Sequence, residues 1–401
     1  MTQAGADDNR PAPYPLSQSD YSTTSGAIYL SNLNATIEAL TDADDTAGRP
    51  VELATQLYHR YRILGRLTDG ERALDLVEQN VGPDASATAL LRRASIRAGF
   101  HRFAGARRDL EAARDRGAPA ATVDRLDREL RLAQGEYDSF GEDWSWARQP
   151  AAGFYDAAFR GNVSVLLGQL ETANLQFFRA QQQYRDSNPF PLAWLYTQQG
   201  IALVRNGEFE RAIPYLEAAL QRVPGFYVAA EHLAECQYET GALEQARLRY
   251  RQVIEQTDDP AFRAALAKVE EALGNTEHAR ALRDRAMADY ERLLAAHPAA
   301  YGGHAIDFLI EQGRVDRALA LARQNRSLRA DIGSRISLAV AAQAAGEEEQ
   351  ACRALEDALA TGLNPPELSD LKGLSEGCGV TLPVRSERLG SAAGFFGESG
   401  E

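Results

Sequence analysis

The sequence predicts an all-α fold, an α-solenoid of about nine helix–turn–helix repeats, and three observations carry that prediction. A small residue recurs at Ala73, Ala106, Phe140, Ala173, Ala212, Ala246, Ala279, Ala318 and Ala351, at intervals of 33 to 39 residues, Phe140 being the single large exception. Five positions ahead of each stands a turn residue: Thr68, His101, then Gly135, Gly168, Gly207, Gly241, Gly274, Gly313 and Gly346. Only 32 of the 401 residues are glycine, so seven in one register position reflect a structural demand. Seven positions after the small residue, two turns along one helix face, stand Asn80, Ala113, Ala147, Ala180, Ala219, Val253, Ala286, Asn325 and Ala358. Self-similarity at such a period is the signature of a stacked array.

Taken in order, residues 1–26 are rich in Pro, Ser, Asp and Gln and are expected to form a disordered tail. Residues 27–49 are expected to form a helix and a tether. Leu30, Leu33, Ile37 and Leu40 share one helical face, and the stretch 42–48 breaks the pattern. The helix either covers the open edge of the first repeat or occupies the array's groove. The array follows over 50–365. In each unit the glycine ends the first helix, because it accepts a left-handed backbone without a Cβ penalty. The small residue lets the two helices approach, and Phe177, Phe209, Leu216, Tyr250 and Trp144 fill the gaps between helices. One hairpin cannot bury its apolar face alone, whereas stacked neighbours can. Two intervals of 39 residues need insertions. One is placed in the Pro-containing stretch 185–191, the other in a longer helix between Arg280 and Ala296. Residues 366–383 are expected to cap the far end, and the Gly- and Ser-rich residues 384–401 to form a flexible tail.

The stretch Trp194–Pro224 carries Gly200, Gly207, Phe209, Ala212, Leu216, Ala219 and Pro224, and 34 residues later Ala234, Gly241, Leu243, Ala246, Tyr250 and Val253 fall in the same places. This pattern resembles the tetratricopeptide repeat, in about nine units over residues 54–365. The resemblance implies a right-handed superhelix, open and elongated, whose first helices line a concave groove that holds an extended peptide or a partner helix. Groove-facing positions then follow by register. Near the start they are Tyr58, Arg62, Arg66 and Arg92; in the middle Tyr155, Phe159, Asn162, Thr197, Ile201 and Arg205; further on Glu231, Glu235, Tyr238, Glu239, Gly303, Asp307, Ile310 and Glu311. Such a groove is basic at its start, aromatic and polar in the middle, and acidic beyond. The Lys and Asn of the family's carboxylate-clamp pattern are absent, so a C-terminal Glu-Glu-Val-Asp tail is not the expected partner. Trp144 reads as core. Trp146, an aromatic of the kind enriched at interfaces, is a candidate contact.

Lys and Arg number 43 against 57 Asp and Glu, a formal net charge of -14, which argues against a nucleic acid as main partner. No apolar run of about 18 residues is present, so no membrane insertion is expected. The absence of a targeting segment points to the cytoplasm, with the periplasm as the alternative. Cys236, Cys352 and Cys378 are too few and too scattered for a disulfide framework or a four-ligand zinc site, and an odd count suits a reducing compartment. No phosphate-cradling glycine loop, nucleophile elbow or His-Glu-x-x-His stretch occurs. His232 and Cys236 lie one turn apart between Glu231 and Glu235, but Cys236 falls on the packing side of its helix, where a thiol acts as a small apolar group. Neither a cofactor nor a metal is expected. The function read from the sequence is a non-catalytic, bacterial protein–protein interaction scaffold or adaptor that binds a protein or peptide. The alternative is an enzyme, or an enzyme-associated subunit, using Glu231, His232, Glu235 and Asp307.

Overall fold

The computed structural model describes residues 22–43, 48–141, 144–257 and 259–384. The expected N-terminal tail up to residue 21, the middle of the tether and the C-terminal tail from residue 385 lie outside the described residues. Within them are nineteen α-helices and no strand. After α1 (Gly26–Asp42) come α2 (Arg49–Leu64) and α3 (Leu67–Asn80), α4 (Ala87–Gly99) and α5 (Phe103–Asp115), and α6 (Ala120–Gln134). There follow α7 (Phe154–Leu166) and α8 (Leu170–Gln183), α9 (Phe190–Val204) and α10 (Phe209–Arg222), α11 (Tyr227–Glu239) and α12 (Leu243–Gln256). The array ends with α13 (Pro260–Ala272) and α14 (Thr276–Ala296), α15 (Pro298–Glu311) and α16 (Val315–Leu328), α17 (Ile332–Ala344) and α18 (Glu348–Leu359); a 3₁₀ turn Pro366–Leu371 and α19 (Lys372–Cys378) complete it.

The repeat chemistry explains the hairpins. All seven register glycines have positive φ, between 69° and 84°. Ala106, Ala173, Ala212, Ala246, Ala279, Ala318 and Ala351 are fully buried. Approach within a hairpin is close: a Cβ on Gly200 would stand 2.6 Å from the Leu216 side chain, and one on Gly161 2.4 Å from the Phe177 ring. The longer intervals fall at the connection between α8 and α9 and in the 21-residue α14. Consecutive first helices, such as α9 with α11 and α15 with α17, pack directly on one another, which places them on the inner side of the curve.

Four features depart from the sequence reading. In the first unit the turn glycine is Gly65, at φ 70°, and Thr68 lies inside α3. The close approach there is at Gly70, whose Cβ would lie 2.9 Å from the Tyr61 ring, so the true register is three residues ahead of Ala73. In the third unit no second helix forms. Phe140 is too large for the small-residue position, and Gly141 breaks the backbone. Two 3₁₀ turns, Tyr137–Phe140 and Ser145–Arg148, pack an aromatic cluster instead. There Trp144 is buried, at 5% exposure, stacked on Phe140. Third, Cys352 and Cys378 form a disulfide that ties α18 to α19 across 26 residues of sequence. The terminal helix folds back onto the last hairpin, and that return brings the two thiols together.

The fourth departure is the largest. The superhelix is not open, because its second turn rests on its first. The Gln256 side chain donates to the Leu64 carbonyl at 2.8 Å, across 192 residues. One unit on, His101 Nδ1 meets the Ala299 carbonyl at 2.8 Å, across 198 residues. Next, Ala330 N–H donates to the Gln134 carbonyl at 3.1 Å, and Asn364 N–H to the Leu166 carbonyl at 2.8 Å. Arg205 then binds Glu367 through two bonds of 2.6 and 2.8 Å. The hairpin tips of the first four units thus sit on connections about five units later and the fifth on the C-terminal 3₁₀ turn, and the contacts form one continuous seam. Helix α1 lies at the start of this seam and not in the groove. It buries Leu33 and Ile37, and Asn34 accepts from Arg60 of α2 at 3.0 Å. Its first residue abuts the end of α10, where a Cβ on Gly26 would stand 2.1 Å from the Arg222 carbonyl oxygen.

Candidate functional site

Closure of the seam turns part of the groove into a cavity of about 690 Å³, walled on one side by α6, α7 and the third unit's turns and on the other by α15, α17 and the C-terminal cap. That volume falls in the range of ligand pockets, roughly 300–1,000 Å³. Its apolar walls are Phe103, Leu132, Tyr137, Phe159 and Leu166 facing Ile332, Ile336, Val340 and Leu371. Its polar groups are Asn162, Ser337, His101, Arg205, Arg329, Glu129, Asp307, Asp331, Glu367 and Asp370.

Phe159 reaches the cavity from the aromatic cluster. Its ring stacks on Trp146 with centroids 6.0 Å apart, and the Arg128 guanidinium lies 5.2 Å above it. Trp146 is half-buried, donates from Nε1 to the Phe140 carbonyl at 2.8 Å and carries Arg160 on its face. Tyr137 is fixed by the opposite turn: its hydroxyl accepts from Ile332 N–H at 2.6 Å. His101 occupies the turn position that the eight other units fill with glycine, at φ 55°. A non-glycine residue there carries strain. Stacking on Phe103 at 5.2 Å and the bond to Ala299 hold it in place. Burial, then the neighbouring Arg329, hold its imidazole pKa below the usual value. Arg329 pairs with Asp331 at 3.1 Å. Asp307 projects into the lumen, wetted but hemmed in by helices, and burial pushes its carboxyl pKa up against the opposing pull of His304.

The groove positions read from the sequence are therefore not one continuous surface. Phe159, Asn162, Arg205 and Asp307 meet in the cavity although they come from three different units. Arg62 lies 5.3 Å over the Phe190 ring at the seam, and Arg66 is exposed beside it. Tyr58 closes on Gly99, whose Cβ would overlap its hydroxyl. Arg92 is paired with Glu52. Tyr155 is 53% exposed beneath Arg125. Thr197 does not face the groove: it is fully buried, its hydroxyl donating to the Ala193 carbonyl at 2.9 Å within its own helix. Ile201, Ile310, Gly303 and Tyr238 are half-buried and Glu239 is exposed. Glu311 is paired with Lys268 at 2.7 Å.

Glu231 and Glu235 are joined by His232, whose Nε2 lies 2.9 Å from Glu231 and Nδ1 2.8 Å from Glu235. Burial opposes the charge, but the two carboxylates prevail and lift the imidazole pKa to about 10. The three could hold a metal ion by position, yet an imidazolium has no lone pair to offer, and a metal must first displace its proton. Cys236 is fully buried, and burial pushes its thiol pKa up to about 12, the state of a packing residue rather than a nucleophile.

Sequence reasoning missed His101, Tyr137, Arg329, Asp331, Ile332 and Glu367. The one available signal was His101, a non-glycine residue at a glycine position of the repeat.

A family model described as the tetratricopeptide repeat matches residues 203–269. No match was found among the curated proteins. Among solved structures, the chain resembles the APC/C hetero-tetramer Cut9–Hcn1, with 17% identity, 88% of this chain and 74% of that one covered, and a TM-score of 0.44. PilW, a type IV pilus biogenesis factor, is similar at 18% identity over 63% of this chain and 94% of its own, with a TM-score of 0.31. The C-terminal part of a repeat-containing protein from Cytophaga hutchinsonii gives 15% identity over 76% and 95%, with a TM-score of 0.32.

Proposed function

We propose that this chain, whose residues 203–269 match the tetratricopeptide-repeat model and whose helix pairs stack in that manner, is a non-catalytic scaffold that holds a segment of a partner protein in the cavity between the two turns of its superhelix. The observation that carries the reading is the cavity itself. It lies between the two turns, is walled by aromatic and aliphatic side chains, and has polar groups among its lining. The alternative reading as an enzyme rested on Glu231, His232, Glu235 and Asp307. The first three are engaged with one another, and Asp307 belongs to the separate cavity.

The disulfide supports placing the protein in an oxidising compartment, the periplasm in preference to the cytoplasm, since such bonds persist where thiols are not kept reduced. The test of function is recovery of a stoichiometric protein partner on the tagged chain from native extract, with a Ser337→Trp variant whose indole fills the cavity. The reading expects a partner that the variant loses. Recovery of no stoichiometric partner, or equal recovery by both chains, contradicts it.

A further inference from the structure

We infer that the cavity between the turns takes a basic side chain, arginine or lysine, presented by an extended partner peptide. The inference rests on the binding role proposed above and specifies its chemistry.

It begins from charge. Of the two guanidinium groups in the cavity, Arg205 is held by Glu367 through two bonds of 2.6 and 2.8 Å. Arg329 is held by Asp331 at 3.1 Å. Arg205 is thus hydrogen-bonded within the wall, and Arg329 is ion-paired there without hydrogen-bond geometry between its Nε and the Asp331 Oδ2. Asp307 and Asp370, which also line the cavity, make no ion pair among the described residues. Glu129 has only a longer contact of 3.4 Å to Arg125 on its own helix. The nearest lysine to Asp307, Lys268, is engaged with Glu311. The lining therefore holds carboxylates in excess, and Glu129, Asp307 and Asp370 are exposed to an incoming counter-charge.

Shape gives the second constraint. A long cationic side chain lays its methylene stem on apolar surface and keeps its head on polar groups. The cavity has that division, with Tyr137, Phe159, Ile332 and Ile336 as walls and Asp307 and Asp370 as free acceptors. Aromatic faces in this part of the fold already accept guanidinium groups, Arg128 over Phe159 and Arg160 over Trp146. An anionic peptide meets uncompensated carboxylates, and a purely apolar one leaves them unpaired.

Because the two walls belong to different superhelical turns, an occupant bridges the seam. Binding is thus expected to raise the melting temperature as well as to give a signal.

The experiment uses the full chain and fluorescein-labelled octapeptides Gly-Ser-Leu-X-X-Leu-Ser-Gly, with X as Arg, Lys, Gln or Glu, read by anisotropy at low and high salt. The expected result is binding at least about tenfold tighter for Arg or Lys than for Gln, weakest for Glu, and reduced by salt. Asp307→Asn and Asp370→Asn should each reduce the preference for basic peptides by about threefold, while Glu277→Gln, on the exposed start of α14, leaves it unchanged. Each variant's helical spectrum confirms that it is folded. Equal binding of all four peptides, lost in Ser337→Trp, overturns the basic preference and leaves the scaffold reading standing. Binding of none overturns both. Free L-argininamide binding as tightly as the Arg peptide identifies a small cation as the ligand and overturns the assignment to a peptide.

Discussion

Replacing Gly135 by alanine should open the seam, and Gly207→Ala provides the internal control. Both residues end a first helix in the left-handed region, at φ 76° and 73°. The backbone cost of a Cβ there is the same for both, about 1–2 kcal/mol. Around Gly207 nothing lies within 4 Å of the new atom. At Gly135 the Cβ would stand 2.2 Å from the Ala330 carbonyl oxygen and 2.7 Å from the Asp331 nitrogen. An ordinary carbon–oxygen approach is near 3.3 Å, so the opposite turn must withdraw by about 1 Å. That movement breaks the Ala330 to Gln134 bond and disturbs the Ile332 to Tyr137 bond. At about 1 kcal/mol each, their loss adds about 2 kcal/mol to the backbone cost. Urea unfolding should therefore place Gly135→Ala about 2 kcal/mol below Gly207→Ala, and small-angle scattering should show a larger radius of gyration for Gly135→Ala alone. Equal stability losses with identical scattering would refute the closed seam.

Three further outcomes follow from the same chemistry. His59 is wedged against Tyr29 of α1 and Phe190 of α9 with Arg62 on its own helix, and burial followed by Arg62 lowers its pKa to about 4. Its folded pKa lies below the unfolded value of 6.5, so its contribution is intact above pH 6.5 and lost as pH falls toward 4, on the order of 3 kcal/mol in all. His59→Gln should flatten the pH dependence of unfolding in that window, and an unchanged slope would contradict this. The His232 pKa is raised to about 10, so its stabilisation is complete below pH 6.5 and disappears as pH rises through 10. Nitrogen chemical shifts at pH 8 should report an imidazolium; a neutral ring would disprove the double carboxylate clasp. Cys352→Ser should lower stability by about 3 kcal/mol for a closed loop of this span, measured as a melting shift that wild type reproduces only in reductant.

The array was legible because its requirements are local and repeat. A glycine at the end of a first helix and an alanine at the helix crossing answer the same steric problem in every unit, so Gly207 with Ala212 identifies Gly241 with Ala246. The third unit shows where this reasoning weakens. Phe140 in a small-residue position signalled an irregularity, but the two 3₁₀ turns and the Trp144–Phe140 stack depend on neighbours that periodicity does not reveal. In the first unit, Ala73 satisfied the pattern while Gly65 and Gly70 satisfied the geometry. The seam was not legible at all. It joins residues such as His101 and Ala299, 198 apart, and their meeting depends on small rotations summed over several units. The cavity inherits that limit. Phe159, Asn162, Arg205 and Asp307 were identifiable as inward-facing from register, whereas Tyr137, Arg329 and Glu367 became part of a site only when the turns closed.

Site-specific photo-crosslinking tests the central claim most directly. A benzophenone side chain is placed at Val340, in the cavity wall, and in a second chain at Leu248, which is 61% exposed on the second helix of its hairpin. In native extract, the account predicts one stoichiometric protein adduct from position 340 that is absent from position 248 and is suppressed by the Arg-containing octapeptide. An adduct from position 248 alone, or one from position 340 that the peptide leaves untouched, would contradict it.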